Sequence, residues 1–282
     1  MKNKTRFVFF GTPSLVVPIL EELKAGGFIP SLVITAPDKP KGRGLALTPP
    51  PAKIWAEQNK IEVLQPEKLD SEFCRRLSVA GCKLFIVVAY GKILPQEIID
   101  LPEFGTYNVH YSLLPKYRGA TPVESAILNG DEETGVSIQK MVFELDAGPV
   151  AAEEKISIGE TETAPELRGR LNDIGKKLLV ETIQKIISGT AKLREQDHKQ
   201  ATHTKKITKE DGLIDLSGSA EKNWRKYRAY YSWPGTYFFT ERGDEKKRVI
   251  IKNASFENGV FVIKRVLPEG GKEMKYEDFL RG

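Results

Sequence analysis

The segment K-L-F-I-V-V-A at residues 83–89 is an unbroken apolar run, typical of a β-strand that is buried on both faces of a parallel sheet. Tyr90 and Gly91 follow it, and a glycine directly after a central strand lets a ligand or another backbone approach closely. Ligands of open α/β sheets bind beyond the carboxyl ends of the strands. The run therefore predicts the central strand of a parallel sheet, with a binding site at the end where Tyr90 begins.

Strand and helix patterns alternate on either side of this run. Residues 6–10 and 31–36 are short apolar runs that predict strands, and residues 14–24 between them have helical spacing. This is the start of a β-α-β arrangement, which favours an α/β domain. Gly11-Thr12-Pro13 closes the first strand and is not the G-x-G-x-x-G fingerprint, so we expect no dinucleotide cofactor.

The chain is predicted to hold two domains. Residues 1–190 contain the α/β pattern and end in a long amphipathic helix at 163–187. Residues 191–207 are polar and rich in lysine, which is typical of a linker. Residues 208–282 combine one predicted helix with short strands broken by Gly, Asn and Pro, a pattern that suits a small β-barrel or sandwich.

Composition and charge limit the class of protein. The chain has 282 residues and only two cysteines, too few for a disulfide framework or a zinc site. It has no apolar stretch long enough to span a membrane, so a cytoplasmic protein is expected. Residues 1–190 carry 23 Lys and Arg against 24 Asp and Glu, whereas residues 191–282 carry 20 against 14. The positive charge of the C-terminal part would attract a polyanion such as nucleic acid, or would simply keep the protein soluble.

Three polar residues form the strongest candidate for a catalytic site. Asn108 and His110 lie two apart in a predicted strand at 104–110, so their side chains share a face. Asp146 lies in a turn after the next predicted strand, at 136–143, which would bring it to the same end of the sheet. An amide can donate to an oxyanion, and a carboxylate can orient an imidazole that moves protons. The alternative is a core histidine beside two turn residues.

Residues 38–53 read D-K-P-K-G-R-G-L-A-L-T-P-P-P-A-K and carry Lys39, Lys41 and Arg43. The prolines and glycines predict a long loop without regular structure. Long loops in compact domains are often functional, although a solvated linker is the alternative.

Motifs along nearly the whole chain resemble those of the folate-dependent formyltransferases. They are F-G-T-P at 10–13, D-K-P-K-G-R-G at 38–44, A-Y-G-K-I-L-P at 89–95, N-V-H-Y-S-L-L-P-K-Y-R-G-A at 108–120 and L-D-A-G at 145–148, with W-P-G at 233–235 and K-Y-E-D-F-L-R-G at 275–282. The resemblance implies a Rossmann-like formyltransferase domain with a mostly parallel sheet and a smaller, C-terminal OB-like β-barrel that binds tRNA.

The resemblance also implies the reaction and the site. The family's catalytic residues fall on Asn108, His110 and Asp146, and the formyl donor would be 10-formyltetrahydrofolate, with no metal. The implied folate pocket is formed by Tyr90, Gly91, Ile93, Leu94, Pro95, Ser112, Leu113, Leu114 and Pro115.

The proline-rich basic loop is what separates family members that formylate initiator methionyl-tRNA, for translation initiation, from those that act on small molecules. The resemblance therefore implies a tRNA contact through Lys39, Lys41 and Arg43. We expect a monomer. The alternatives are a formyltransferase acting on a small amine such as an amino sugar nucleotide, and a non-catalytic RNA- or folate-binding module. One departure is Tyr111, where the family commonly has glycine, because a phenol there could narrow the site.

Overall fold

The computed structural model describes residues 5–42, 45–242 and 245–281, without the side chains of 242, 245 and 246. The chain forms two compact units, each assembled from separate segments. The first contains the residues up to Arg118 together with Gly135–Lys155 and Arg170–Thr202, and the second contains Gly119–Thr134, Ile156–Gly169 and the residues from His203 onwards. The domain limits drawn from the sequence, 1–190, 191–207 and 208–282, remain a prediction.

Strands and helices alternate over much of the chain. The strands are β1 (Phe7–Gly11), β2 (Leu32–Ile34), β3 (Lys39–Lys41), β4 (Ala46–Thr48), β5 (Glu62–Leu64), β6 (Leu84–Val88), β7 (Thr106–His110), β8 (Glu133–Lys140), β9 (Val150–Ser157), β10 (Thr236–Arg242), β11 (Glu245–Glu257), β12 (Val260–Pro268) and β13 (Met274–Lys275). The α-helices are α1 (Val16–Ala25), α2 (Pro51–Gln58), α3 (Ser71–Val79), α4 (Gln96–Ile99), α5 (Pro122–Asn129), α6 (Ala164–Ile187), α7 (Ala220–Ala229) and α8 (Tyr276–Arg281), and His198–Gln200 and Glu210–Gly212 are short 3-10 helices.

The main sheet has seven strands in the order β5-β2-β1-β6-β7-β8-β9. The pairs from β5 to β7 are parallel, and β8 is antiparallel to β7, with Tyr107 opposite Lys140 and His110 opposite Ser137. The strand predicted from K-L-F-I-V-V-A is β6, which occupies the middle of this order and is buried at every residue. The mostly parallel α/β sheet predicted from the sequence is therefore confirmed.

The core of the first unit forms where β1 and β6 lie side by side. Their apolar side chains pack with those of α3, and the rings of Phe10 and Phe85 lie 5.5 Å apart between centroids. Leu77 on α3 is almost fully buried against this cluster. Because apolar burial stabilises by about 25 cal/mol per Å², these strands form a rigid platform for the polar residues on the neighbouring β7.

The prediction that residues 38–53 lack regular structure is wrong. β3 and β4 form an antiparallel ribbon in which Pro40 lies opposite Leu47, and α2 begins at Pro51. Proline is compatible with an exposed edge strand, where its missing N–H breaks no ladder, and with the first turn of a helix, where no N–H partner is required. Arg43 lies outside the described residues.

The second unit has a four-stranded antiparallel sheet in the order β10-β11-β12-β13. Its core places Trp224 and Tyr227 of α7 against side chains of the sheet, including Phe238 and Val249. The predicted fold class is confirmed, although the paired strands form an open sheet rather than a closed barrel within the described part of this unit. In the described ranges of the chain no helix is at once long and apolar enough to cross a bilayer.

Candidate active site

β7 presents its polar and apolar side chains on opposite faces. Asn108 and His110 share one face, as the spacing of two predicts, while Tyr107 and Val109 point the other way. His110 is only 5% exposed. The Tyr111 hydroxyl donates to Asn172 Oδ1 on α6 at 2.8 Å, so this phenol packs into the core. Its effect on the site remains a prediction.

Asp146 completes the predicted set. One carboxylate oxygen, Oδ1, lies 3.5 Å from Asn108 Nδ2, and the other, Oδ2, lies 3.6 Å from His110 Nδ1. The Asp146 side chain is about as buried as that of His110. Distances of this length are common in catalytic groups before a substrate binds. The three residues chosen from the sequence therefore do lie together.

The sequence predicts these contacts for a reason that is wrong. The chain order predicts Asp146 at the end of the strand that follows β7, with the two strands ending together. β8 is antiparallel to β7, so the strand ends do not coincide. Instead, residues 141–149 form a loop that turns back, which we call the catalytic loop, and Lys140 N donates to Pro149 O across its base at 2.8 Å.

Gly148 is required for the shape of the catalytic loop. A Cβ atom at this position would overlap the carbonyl oxygen of Lys140, so only glycine lets the two backbone segments approach. Asp146 itself has a positive φ of 50°, in the left-handed region that aspartate tolerates better than most residues. The loop thus holds its carboxylate in a conformation that requires support from the surrounding structure.

The tautomer of His110 is fixed by Tyr117. His110 Nε2 lies 2.9 Å from the carbonyl oxygen of Tyr117, and because a carbonyl can only accept, Nε2 carries a proton. In a neutral ring Nδ1 is then an unprotonated acceptor that faces the carboxylate of Asp146. Once Nδ1 takes up a proton, this contact becomes a charge-assisted hydrogen bond. The backbone, rather than Asp146, sets the tautomer.

Sequence reasoning missed Gln139, a fourth polar side chain of the site. It lies opposite Asn108 in the β7–β8 register and donates from Nε2 to Asp146 Oδ1 at 2.7 Å. Gln139 is 1% exposed, and its Oε1 has no hydrogen-bond partner among the described residues. A lone glutamine in the apolar run V-S-I-Q was the available signal. A buried acceptor of this kind favours a ligand or water that donates to it.

The segment predicted to bind folate after β6 is only partly accessible. Tyr90 and Leu94 belong to the hydrophobic core, whereas Gly91 and Ile93 are exposed and Pro95 precedes α4. Burial raises the pKa of the Tyr90 phenol to about 12, and its hydroxyl has no partner in the described structure. The contact of this segment with folate remains a prediction.

The turn at residues 112–115, also predicted to bind folate, is held by Ser137 of β8. Ser137 Oγ donates to Ser112 O at 2.7 Å and accepts from Leu114 N at 3.1 Å. Ser112 and Leu114 are buried, and Leu113 and Pro115 are half-buried. The turn is therefore rigid, and its two half-buried side chains are the ones a ligand could reach.

Lys39 and Lys41, two of the three residues predicted to contact tRNA, lie on β3 and are exposed. Their spacing of two in a strand directs both side chains to the same side of the ribbon. Arg43 is outside the described residues, and its part in this contact remains a sequence prediction.

Two family models match the chain. A model described as formyl transferase matches residues 5–183, and one described as formyl transferase, C-terminal domain, matches residues 206–261. The chain belongs to the formyl transferase family. The family and the formyl-transfer activity predicted from the sequence are thereby confirmed.

Two curated relatives are named methionyl-tRNA formyltransferase. The methionyl-tRNA formyltransferase of Thermotoga maritima is 45% identical over 235 residues, covering 83% of this chain and 75% of that protein. The methionyl-tRNA formyltransferase of Bacillus subtilis is 36% identical over an alignment of 302 positions, covering 99% of this chain and 95% of that protein.

Solved structures of more distant proteins share the fold. An N-formyltransferase from Helicobacter canadensis, in complex with folinic acid and dTDP-3-aminofucose, has a TM-score of 0.67 at 20% identity and covers 89% of this chain and 88% of its own. HypX from Aquifex aeolicus, in complex with tetrahydrofolic acid, has a TM-score of 0.64 at 15% identity and covers 98% of this chain and 46% of its own. At these identities the likeness concerns the fold alone.

Proposed function

We propose that this formyltransferase transfers the formyl group of 10-formyltetrahydrofolate to the α-amino group of the methionine carried by initiator tRNA. The observation that carries the chemistry is the convergence of Asn108 Nδ2 and His110 Nδ1 on the Asp146 carboxylate, within 3.6 Å. Relatives of the tRNA type at 36–45% identity, against 14–20% for the structural neighbours, favour methionyl-tRNA over a small amine.

Asn108 is the proposed oxyanion donor. Attack of the amine on the formyl carbon converts the carbonyl into a tetrahedral intermediate with a negative oxygen. Asn108 Nδ2 has two hydrogens, and its contact with Asp146 occupies only one of them, at a long 3.5 Å. The other hydrogen is available to the oxyanion, and in comparable sites the loss of one such donor lowers the rate by about 10²–10³.

Asp146 and His110 are the proposed proton acceptors. The attacking amine must lose a proton as the new C–N bond forms, and this proton is shared by Asp146 Oδ2 and His110 Nδ1. Because Tyr117 O already binds the proton on Nε2, the only position at which the ring can take another proton is Nδ1. When the bond between the formyl carbon and N10 of folate breaks, the same proton passes to N10. The products are formylmethionyl-tRNA and tetrahydrofolate.

Two further groups are proposed to bind the substrates. The accessible parts of residues 90–95 and 112–115 would contact folate, and Lys39, Lys41 and Arg43 would contact phosphates of the tRNA. The excess of Lys and Arg in residues 191–282 supports a further phosphate contact from the second unit. Action as a monomer in the cytoplasm remains a prediction.

The test is formyl transfer to methionyl initiator tRNA from 10-formyltetrahydrofolate, with uncharged tRNA as the blank. Wild-type chain should form formylmethionyl-tRNA, and Asp146→Asn should not form it at a measurable steady-state rate. An amino sugar nucleotide offered as the alternative acceptor should remain unmodified. Formylation of the sugar without formylation of the tRNA would replace the proposed substrate and keep the chemistry.

A further inference from the structure

The catalytic loop is held from outside by Gln196, a residue in the segment that the sequence predicted to be a linker. Gln196 is 4% exposed. Its Nε2 donates to the carbonyl oxygen of Asp146 at 2.9 Å and to that of Gly148 at 2.6 Å. Gln196 therefore contacts the backbone on both sides of Ala147 and never contacts the carboxylate of Asp146.

The opposite end of the same amide binds Arg118. Gln196 Oε1 accepts from Arg118 Nε at 3.2 Å and from Nη2 at 2.8 Å. Both hydrogens and both lone pairs of the amide are thus used. The amide can have only one orientation, because a flipped amide would turn its NH₂ group towards the guanidinium and its oxygen towards two carbonyl oxygens. The contact is directional as well as buried.

Arg118 is itself fixed. Its side chain is 1% exposed, and a buried guanidinium is stable only when hydrogen-bond acceptors surround it. Besides Gln196, the guanidinium contacts His198 Nδ1 at 3.0 Å and Glu144 Oε1 at 3.4 Å, and the backbone N–H of Arg118 donates to Thr202 O at 2.8 Å. Arg118 thus contacts three residues of the segment 194–202, namely Gln196, His198 and Thr202.

Arg118 also links the two halves of the site. The carbonyl that fixes His110 belongs to Tyr117, the residue directly before Arg118. Adjacent residues thus orient the imidazole, through Tyr117 O, and the catalytic loop, through Arg118 and Gln196. The φ of 50° at Asp146 is unfavourable for a residue other than glycine. The two hydrogen bonds from Gln196 to the loop backbone stabilise this conformation.

We propose that Gln196 is a positioning residue for formyl transfer: by donating to the carbonyl oxygens of Asp146 and Gly148, it holds the Asp146 carboxylate against Asn108 and His110. This inference rests on the proposed catalytic role of Asp146. It assigns a function to a residue that touches no reacting atom. Arg118 acts one step further away, by fixing the orientation of the Gln196 amide.

The decisive variant is Gln196→Glu. It keeps the size and shape of the side chain and gives Arg118 an ion-pair partner, which offsets part of the lost hydrogen bonding, so the variant should fold, with a melting temperature moderately below that of wild type. It replaces both donors with a carboxylate oxygen, which repels the carbonyl oxygens of Asp146 and Gly148. Gln200→Glu is the matched control, because Gln200 lies in the same segment and is exposed, and its side-chain amide donates to Asp197 Oδ2, at 2.9 Å, and not to the catalytic loop.

Three measurements apply to each variant: kcat and KM for formyl transfer to methionyl-tRNA, hydrogen exchange of the amides in residues 141–149, and the melting temperature. Gln196→Glu should lower kcat by about 100-fold, as displacements of about 1 Å do at other reacting centres, with KM for both substrates unchanged. Exchange should accelerate in the catalytic loop and not in β6. Gln200→Glu should match wild type in all three. Gln196→Ala, which removes the donors without adding charge, should show the same fall in kcat.

A double-mutant cycle separates this inference from the proposed function. If Gln196 acts through Asp146, Gln196→Glu should lower the residual single-turnover rate of Asp146→Asn no further. A full additional fall in that background, or a wild-type kcat with unchanged exchange in Gln196→Glu, would overturn the positioning role while the role of Asp146 stands. Full activity in Asp146→Asn alone would overturn the proposed catalytic role instead.

Discussion

The catalytic loop with β7 and the β3–β4 ribbon are both proposed to serve the same reaction, yet they are built in opposite ways. In the first, the polar side chains are buried or half-buried and are oriented by named hydrogen bonds, as Asp146 is by Gln139. In the second, Lys39 and Lys41 extend from an exposed two-stranded ribbon. One region depends on geometry, and the other on charge.

This difference determines what kind of change each region can tolerate. An isosteric substitution that alters one donor or acceptor should destabilise the catalytic loop, because leaving a buried polar group unpaired lowers the free energy of unfolding by about 1–3 kcal/mol. The same kind of substitution on the ribbon should alter only a screened attraction, which falls off over about 10 Å at 0.1 M salt. Four predictions follow this contrast, beginning with the largest effect.

Asp146→Asn should lower kcat the most. The amide keeps the size of the carboxylate but cannot share the proton that the amine releases, and loss of general acid–base catalysis typically lowers rates by about 10²–10⁴. The measurement is single-turnover formyl transfer at saturating substrate. Asp173→Asn on α6 is the control, since that carboxylate is exposed and pairs only with its helix neighbour Lys176 among the ion pairs described. A rate within twofold of wild type would contradict the assignment.

Asn108→Ala should come second, with a fall in kcat of about 10²–10³ and little change in KM. The reason is that the oxyanion exists only after attack, so a donor to it stabilises the transition state and not the bound substrates. The measurement is kcat and KM, each determined separately for both substrates. A raised KM with a normal kcat would show instead that Asn108 binds the ground state.

How far the sequence predicts this site depends on the distance over which each contact acts. Asn108 and His110 could be assigned to one face because the alternation of a strand is local. The contact of Asp146 with these two residues could be predicted from chain order. The loop that produces the contact could not, since no local pattern shows that β8 is antiparallel to β7. Gln196 could not be identified from the sequence for the same reason. A polar, lysine-rich segment predicts a linker, and only the fold shows that the Gln196 side chain is buried beside Arg118.

For the ribbon, the sequence predicted the charge of the side chains correctly and the backbone structure wrongly. Its prolines predicted irregular structure, because proline interrupts helices and central strands, yet β3 and β4 form a ladder in which Pro40 is harmless at an edge. The basic character of Lys39 and Lys41 was read correctly from the sequence, since charge needs no fold to be recognised. A charged, exposed surface is thus easier to predict from a sequence than a buried, directional contact.

Gly148→Ala should have the third largest effect, a fall in kcat of about 100-fold together with a lower melting temperature. The added Cβ would overlap the Lys140 carbonyl oxygen, so the catalytic loop must move and carry Asp146 with it. The measurements are kcat and thermal unfolding. Gly169→Ala is the matched control, because a Cβ there meets no atom within 4 Å and replaces glycine within α6. This control should stabilise by about 0.5–1 kcal/mol. Equal melting temperatures for the two variants would refute the argument from close approach.

Lys39→Gln and Lys41→Gln should have the smallest effect, and one of a different kind. Each removes a charge from the same side of the ribbon, so affinity for methionyl-tRNA should fall uniformly while single-turnover kcat stays at the wild-type value. If each lysine neutralises one phosphate, the slope of log affinity against log salt concentration should become shallower by about 1 per substitution. Lys83→Gln, just before β6, is the control, because it removes an exposed lysine that forms an ion pair with Glu103 and lies outside the basic residues 191–282. A lower kcat in the ribbon variants, with the salt dependence unchanged, would mean that the ribbon also acts through geometry, and the contrast between the two regions would no longer hold.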